Sequence, residues 1–169
     1  DASFNFAHNR NVLVSMSNEK YSREQVYLGA YSISGIAETT MILEAGKPLG
    51  TFYGAKCLGV DEDGMLLYED VNKDGKFVYA DDRTYIGCAQ PDFTANFSSS
   101  FSYKNFYLSF LLRGVFGNDV LNGTSLVLSD ISRAPGENVL KSALNKASQT
   151  LVYSSYYIED GSFLRMDNI

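Results

Sequence analysis

Twelve consecutive residues, Asp70-Val71-Asn72-Lys73-Asp74-Gly75-Lys76-Phe77-Val78-Tyr79-Ala80-Asp81, hold the one arrangement in this 169-residue chain with a recognisable inorganic chemistry. Side-chain oxygens recur at alternate positions, a glycine stands sixth and an acid twelfth. Calcium takes about six to eight hard oxygen ligands, and a chain offering one at every second residue can wrap them around a single ion. On this reading Asp70, Asn72 and Asp74 supply side-chain oxygens and Lys76 its main-chain carbonyl, while Gly75 permits the sharp turn. Asp81 stands where a longer glutamate is usual, so bidentate closure is weaker. No helical pattern flanks the loop, so the expected Ca²⁺ is structural. The competing reading is an acidic surface turn.

The other candidates are thinner. Cys57 and Cys88 flank the loop. They are either a disulfide clamping its base, if their Cα atoms lie within about 7 Å, or two free thiols. A single histidine, His8, argues against His-based metal clusters and most Ser–His–acid triads. The pairs Asp61/Asp63 and Asp81/Asp82 have the residue type of a glycosidase acid and base. Nothing in the sequence places the two members in different environments, so no catalytic residue is expected.

The elements that must carry this loop are strands. From Phe93 the odd positions Phe93, Ala95, Phe97, Ser99, Phe101 and Tyr103 are mostly apolar, whereas Thr94, Asn96, Ser98, Ser100 and Ser102 are small and polar. A period of two means a strand with unlike faces. After Lys104-Asn105 the apolar set continues through Phe106, Leu108, Phe110, Leu112 and Phe116, so a tight hairpin over 93–103 and 106–116 is expected. Ser3 to His8 and Thr51 to Val60 read as further strands, and Tyr156 to Ile169 as a last one with a turn at Asp160-Gly161. Residues 15–48 alternate only weakly. Asp61 to Pro91 reads as a long acidic loop, and residues 118–154 as a second long connection with a short helix over 137–149.

Composition bounds the rest. A formal charge of −6 argues against a nucleic-acid partner, which would require a basic stripe. A hydrophobic fraction of 45% is that of a folded chain. Twelve Tyr and eleven Phe with no Trp, set among many Ser, Asn and Gly, favour strands and turns. Strands of about eleven residues match the length that crosses a bilayer at a tilt, and one short turn against two long loops is the asymmetry of outer-membrane barrels. The expected fold is therefore all-β, with antiparallel up-and-down strands forming a segment of a large outer-membrane barrel. Five strands are too few to close one, so residues 1–169 are expected to be part of something longer. The alternative is a soluble, calcium-stabilised β-sandwich that binds glycans. The two differ in whether Phe93, Phe97, Phe101, Phe106 and Phe110 are outward or buried.

Several runs resemble SusC/RagA-type TonB-linked outer-membrane proteins. Ala45-Gly46-Lys47-Pro48-Leu49-Gly50-Thr51-Phe52-Tyr53-Gly54 is similar to that family's G-x-P-[IL]-G-x-[FY]-Y-G segment. Asp70 to Lys76 followed by Asp81-Asp82-Arg83-Thr84-Tyr85-Ile86-Gly87 is similar to its D-x-N-G-D-G … D-D-R-x-x-I-G, with Lys73 where the family often has glycine. Pro91-Asp92-Phe93, Phe101 to Phe106, Gly114 to Asp119 and Tyr157 to Arg165 extend the likeness in the same order. It implies the C-terminal part of a barrel, without plug domain, in a bacterial outer-membrane importer of large nutrients, glycans or peptides. The family's implied partners are a SusD-like lipoprotein, TonB acting through the missing plug part, and the lipid bilayer. The resemblance assigns no substrate contact to a residue of this chain.

Overall fold

The computed structural model describes residues 1–33, 36–134, 136–145 and 152–169. In chain order the elements are β1 (Ala2–His8), β2 (Gln25–Ile33), β3 (Ile36–Glu44), β4 (Thr51–Ala55), β5 (Cys57–Val60), β6 (Leu66–Tyr68), β7 (Arg83–Cys88), β8 (Phe93–Tyr103), β9 (Phe106–Phe116), β10 (Asp119–Leu121), α1 (Gly123–Leu128), β11 (Ile158–Asp160) and β12 (Phe163–Asn168).

The first sheet has the order β1-β8-β9-β12, antiparallel throughout. β8 and β9 pair without a break from Phe93↔Phe116 to Tyr103↔Phe106. Lys104 takes a φ of 50° in the connecting turn. Directly opposed residues share a face, so the register sorts the sheet by polarity. One row reads Phe4, Phe97, Leu112, Met166, and the next reads Asn5, Asn96, Arg113, Arg165. No large apolar side chain of this sheet is fully buried among the described residues. Phe4 is 68% exposed, Phe101 54% and Phe106 78%. A sandwich would have covered this face.

Residues 9–92 and 117–162 leave the sheet from the same end, opposite the Lys104 turn. There β2-β3-β4-β7 forms a second antiparallel sheet, with β5-β6 and β10-β11 as two-stranded ribbons. This corrects the sequence reading in four places. The weakly alternating stretch 15–48 contains the β2–β3 pair, whose alternation is broken at Gly29 with a φ of +68°. The supposed loop 61–91 contains β6 and β7. Both faces of β7 carry packed side chains, so its sequence shows no polar stripe. The strand expected over 51–60 divides at Lys56, which pairs with Glu69 at 3.0 Å while β5 turns to meet β6. The last expected strand also divides. A 3₁₀ turn at Ser155–Tyr157 leads into β11, and only β12 joins the first sheet.

The helix expected over 137–149 is a 3₁₀ turn at Lys141–Asn145 where described, and 146–149 lie outside the described residues. The α-helix is instead α1, whose first turn is capped by Asn122 Oδ1 accepting from the Ser125 amide at 2.8 Å.

The loop elements have a core of their own. Leu66, Leu126, Tyr153 and Tyr157 are buried together, with Tyr68, Ile86, Leu121 and Ile158 packed around them. The Tyr153 hydroxyl donates to the Thr40 carbonyl at 3.0 Å, tying the core to β3. Its ring lies against Gly54, where an added Cβ would sit 2.7 Å from Tyr153 Cδ1. Gly54→Val should therefore overpack the site and cost about 1–3 kcal/mol. Thermal melting of the purified parent protein, with limited proteolysis reporting the loops, checks this; unchanged loop protection would contradict it.

Candidate functional site

The acidic loop folds around its carboxylates. Asp70 Oδ1 accepts from the amides of Lys73 at 2.7 Å and Asp74 at 3.3 Å, and Oδ2 from Gly75 at 2.7 Å. Asn72 Oδ1 accepts from the Asp74 amide at 2.9 Å, and Asp74 Oδ1 from Lys76 at 2.9 Å. Lys73 and Gly75 take φ of 62° and 86°, so the tight wrap draws on left-handed backbone at both. Asp70, Asn72, Asp74 and the Lys76 amide thus lie on one turn. The Asp81 amide bonds the Val78 carbonyl at 2.9 Å, and its side chain is exposed. Among the described residues no three Asp, Glu, His or Cys side chains gather in a group suited to a metal.

The residue that organises the loop was missed in the sequence. Asp82 is fully buried. Its Oδ1 accepts from Val71 at 2.9 Å and Asn72 at 3.2 Å, and its Oδ2 from Val78 at 2.7 Å. These donors, the Val78 amide first, hold its carboxyl below the ordinary carboxylate value against the opposing effect of burial. Its sequence signals are its adjacency to Asp81 and its place in the family-like run 81–87, neither of which gives it this role. Asp61 is similarly employed, its Oδ1 accepting from Asp63 at 3.0 Å and Met65 at 2.8 Å, so it caps a turn. Cys57 and Cys88 are free thiols. His8 bonds the Asp92 carbonyl through Nδ1.

A second cluster lies across β2, β4 and β7. The rings of Tyr27, Tyr53 and Tyr85 follow one another at 5.9 and 5.6 Å. The Arg83 guanidinium is 4.9 Å from the Tyr27 centroid, 5.4 Å from Tyr53 and 5.9 Å from Tyr79. Lys47 Nζ stands 3.8 Å over Tyr85, whose hydroxyl donates to Glu44. That hydrogen bond, with desolvation behind it, pushes the Tyr85 phenol up to about 12. Residues 47, 53, 83 and 85 fall within the two family-like runs, but sequence spacing could not bring Tyr27 to them.

On the polar face of the first sheet, Ser3 and Ser98 share a hydroxyl bond of 2.8 Å. Asp167 bridges Arg113 Nε at 3.0 Å and Arg165 Nε at 2.6 Å. These polar contacts lie back to back with the exposed phenylalanines, and Leu111, opposite Ser98, shares their face.

No family model matches the chain. Three TonB-dependent receptors of Formosa agariphila are similar to it. Receptor P3 is 26% identical over 98% of this chain and 19% of its own length, P39 24% identical over 99% and 21%, and P26 28% identical over 80% and 16%. The chain therefore spans about a fifth of the length of the curated relatives it matches. A solved structure of the RagAB peptide transporter superposes with a TM-score of 0.76 at 24% identity, covering 98% of this chain and 19% of that one. The RagAB peptide importer in its open-open state gives 0.64 at 23% identity. The likeness to SusC/RagA-type TonB-linked proteins holds along the chain, and the fold is that of a segment of a large outer-membrane β-barrel.

Asp82 makes the loop acid-sensitive in a defined direction. A carboxyl held below its unfolded value of 3.8 stabilises the fold fully above that value. The contribution is lost as pH falls below it, through the folded value. Protection factors of the Val71, Asn72 and Val78 amides, measured against intrinsic rates at each pH, should stay high at neutral pH and fall on acidification in that window. Asp82→Asn should show faster exchange at neutral pH and a flatter acid response.

Proposed function

We propose that residues 1–169 are a stretch of barrel wall and outer loops in a TonB-dependent importer of the bacterial outer membrane. Such an importer takes up large nutrients, glycans or peptides, with a SusD-like lipoprotein as partner and TonB acting through a plug part outside this chain. One observation carries the reading: strands of eleven residues turn Phe97, Phe101, Phe106 and Phe110 to one side and Asn96, Ser98 and Ser100 to the other. Such a sheet is stable where one side meets hydrocarbon and the other a wet lumen. The likeness to receptors and transporters supports it. A RagAB structure described as a peptide transporter favours peptide as cargo, and the glycan reading keeps the family's wider range. No catalytic step and no nucleic acid enter this proposal.

Phe101→Arg in the parent protein should cost about 2–4 kcal/mol if the site lies near the bilayer midplane. Ser100→Arg, one residue away on the lumen side, should cost far less. Heat-modifiable mobility of the barrel in outer-membrane fractions reads both, and equal tolerance of the two would sink the barrel-wall proposal. Loss of uptake when TonB is removed tests import itself.

We also propose that Ca²⁺ is held by the loop through Asp70, Asn72, Asp74, Lys76 and Asp81. The ligand spacing and the placing of the first three side chains on one turn support this. The ion would add positive charge among carboxylates now held by amides, and Asp81 would have to turn inward to complete the shell. Calorimetric titration of the parent should show calcium-dependent heat that Asp74→Ala largely removes. A heat unaltered by the substitution, or no heat at all, would leave an acidic turn.

A further inference from the structure

We infer that Arg83 and Lys47, held on the tyrosine faces of the second sheet, form a capture site for an oxyanion, a carboxylate on the cargo. The inference rests on the import reading and deepens it by naming a chemical class of substrate.

The site is an ion pair with one side missing. Arg83 is enclosed by the rings of Tyr27, Tyr53 and Tyr79, and Lys47 stands over Tyr85. Among the described residues neither cation has a carboxylate oxygen within salt-bridge distance, although each of the four ion pairs found there joins a base to an acid. Of the carboxylates around the row, Glu44 is taken by the Tyr85 hydroxyl, and Glu38 acts on Tyr79 without pairing to Arg83. Arg83 Nε is buried and has no acceptor. A buried guanidinium donor without a partner is costly, and ring faces offset the charge without using the N–H edge.

That arrangement is prepared for an incoming acceptor. A guanidinium covered on its faces keeps its edge in one orientation, and a carboxylate fits that edge with two parallel hydrogen bonds. Lys47 adds a point charge beside it. The row is open, with Tyr27 40% and Tyr85 39% exposed, and it lies on the loop side of the first sheet. In the proposed barrel that is the outer side, where cargo arrives. An acidic sugar or an acidic peptide side chain supplies the same group.

The test uses the intact parent protein in detergent, titrated calorimetrically with four probes of matched length. These are an oligogalacturonate, a neutral galactose oligomer, a glutamate oligopeptide and a glutamine oligopeptide. At least one acidic probe should bind more tightly than its neutral counterpart. Arg83→Gln should weaken that binding about tenfold, Lys47→Gln less, and neither should alter a neutral probe. Which acidic probe is preferred identifies the source of the carboxylate. Equal binding of acidic and neutral probes, no binding of either acidic probe, or unchanged acidic binding in Lys47→Gln and a folded Arg83→Gln would overturn the inference. TonB-dependent uptake, measured separately, reports on import whatever these titrations show.

Discussion

Everything else in this chain depends on the register of β8 against β9. Eleven pairs in unbroken order keep every phenylalanine of both strands on one side and every serine of β8 but Ser99 on the other. A slip of one residue would move the whole set across. β1 and β12 extend the same rows on either flank, so Phe4 and Met166 join the apolar side while Asn5 and Arg165 join the polar one. The sheet stores no core between layers. Its stability comes from main-chain pairing and from having a suitable solvent on each side.

At the loop end the governing device is different. Asp61, Asp70, Asp82, Asp130 and Asp160 each accept main-chain amides, and in doing so fix turns that have few apolar residues to pack. Several of the carboxylates behind the net charge of −6 are thus engaged in local bonding. Asp119 bonds across the fold at the junction of the two sheets. It accepts the Cys88 amide from β7 while its own strand follows directly from β9. The tyrosines then seal the space above, since a phenol brings a large apolar body and a polar tip that can reach a carbonyl, as Tyr153 does at Thr40.

The first sheet was legible because period-two alternation has a clean signature when the two faces meet different surroundings. β1, β8 and β9 fell within a residue or so of expectation. β3 and β7 were not legible, because where described both faces of each are partly covered and show no polar stripe, and β2 was not because its alternation breaks at Gly29. The acidic loop was legible as a loop with Gly75 at its bend. Asp82 was not, because its role comes from burial and sequence records burial of a single acid nowhere. The tyrosine–arginine row was legible only in part, since Tyr27 reaches Tyr53 and Arg83 through sheet pairing across distant segments.

Gly54 lying under the Tyr153 ring also bears on how such a chain can diversify. The outer elements close on their own small core; at the junction Asp92 bonds Phe116 and His8 bonds Asp92, while Gly117 to Ser162 and Cys88 to Asp119 tie the outer segments together just above the wall. Wall and loops are thus two units of selection joined by a narrow seam. A lineage can lengthen, shorten or recharge the outer elements while the seam is kept, and the bilayer-spanning part need register none of it. The glycine is the point at which that freedom ends, because any larger residue there would push the loop core away from the strands beneath it.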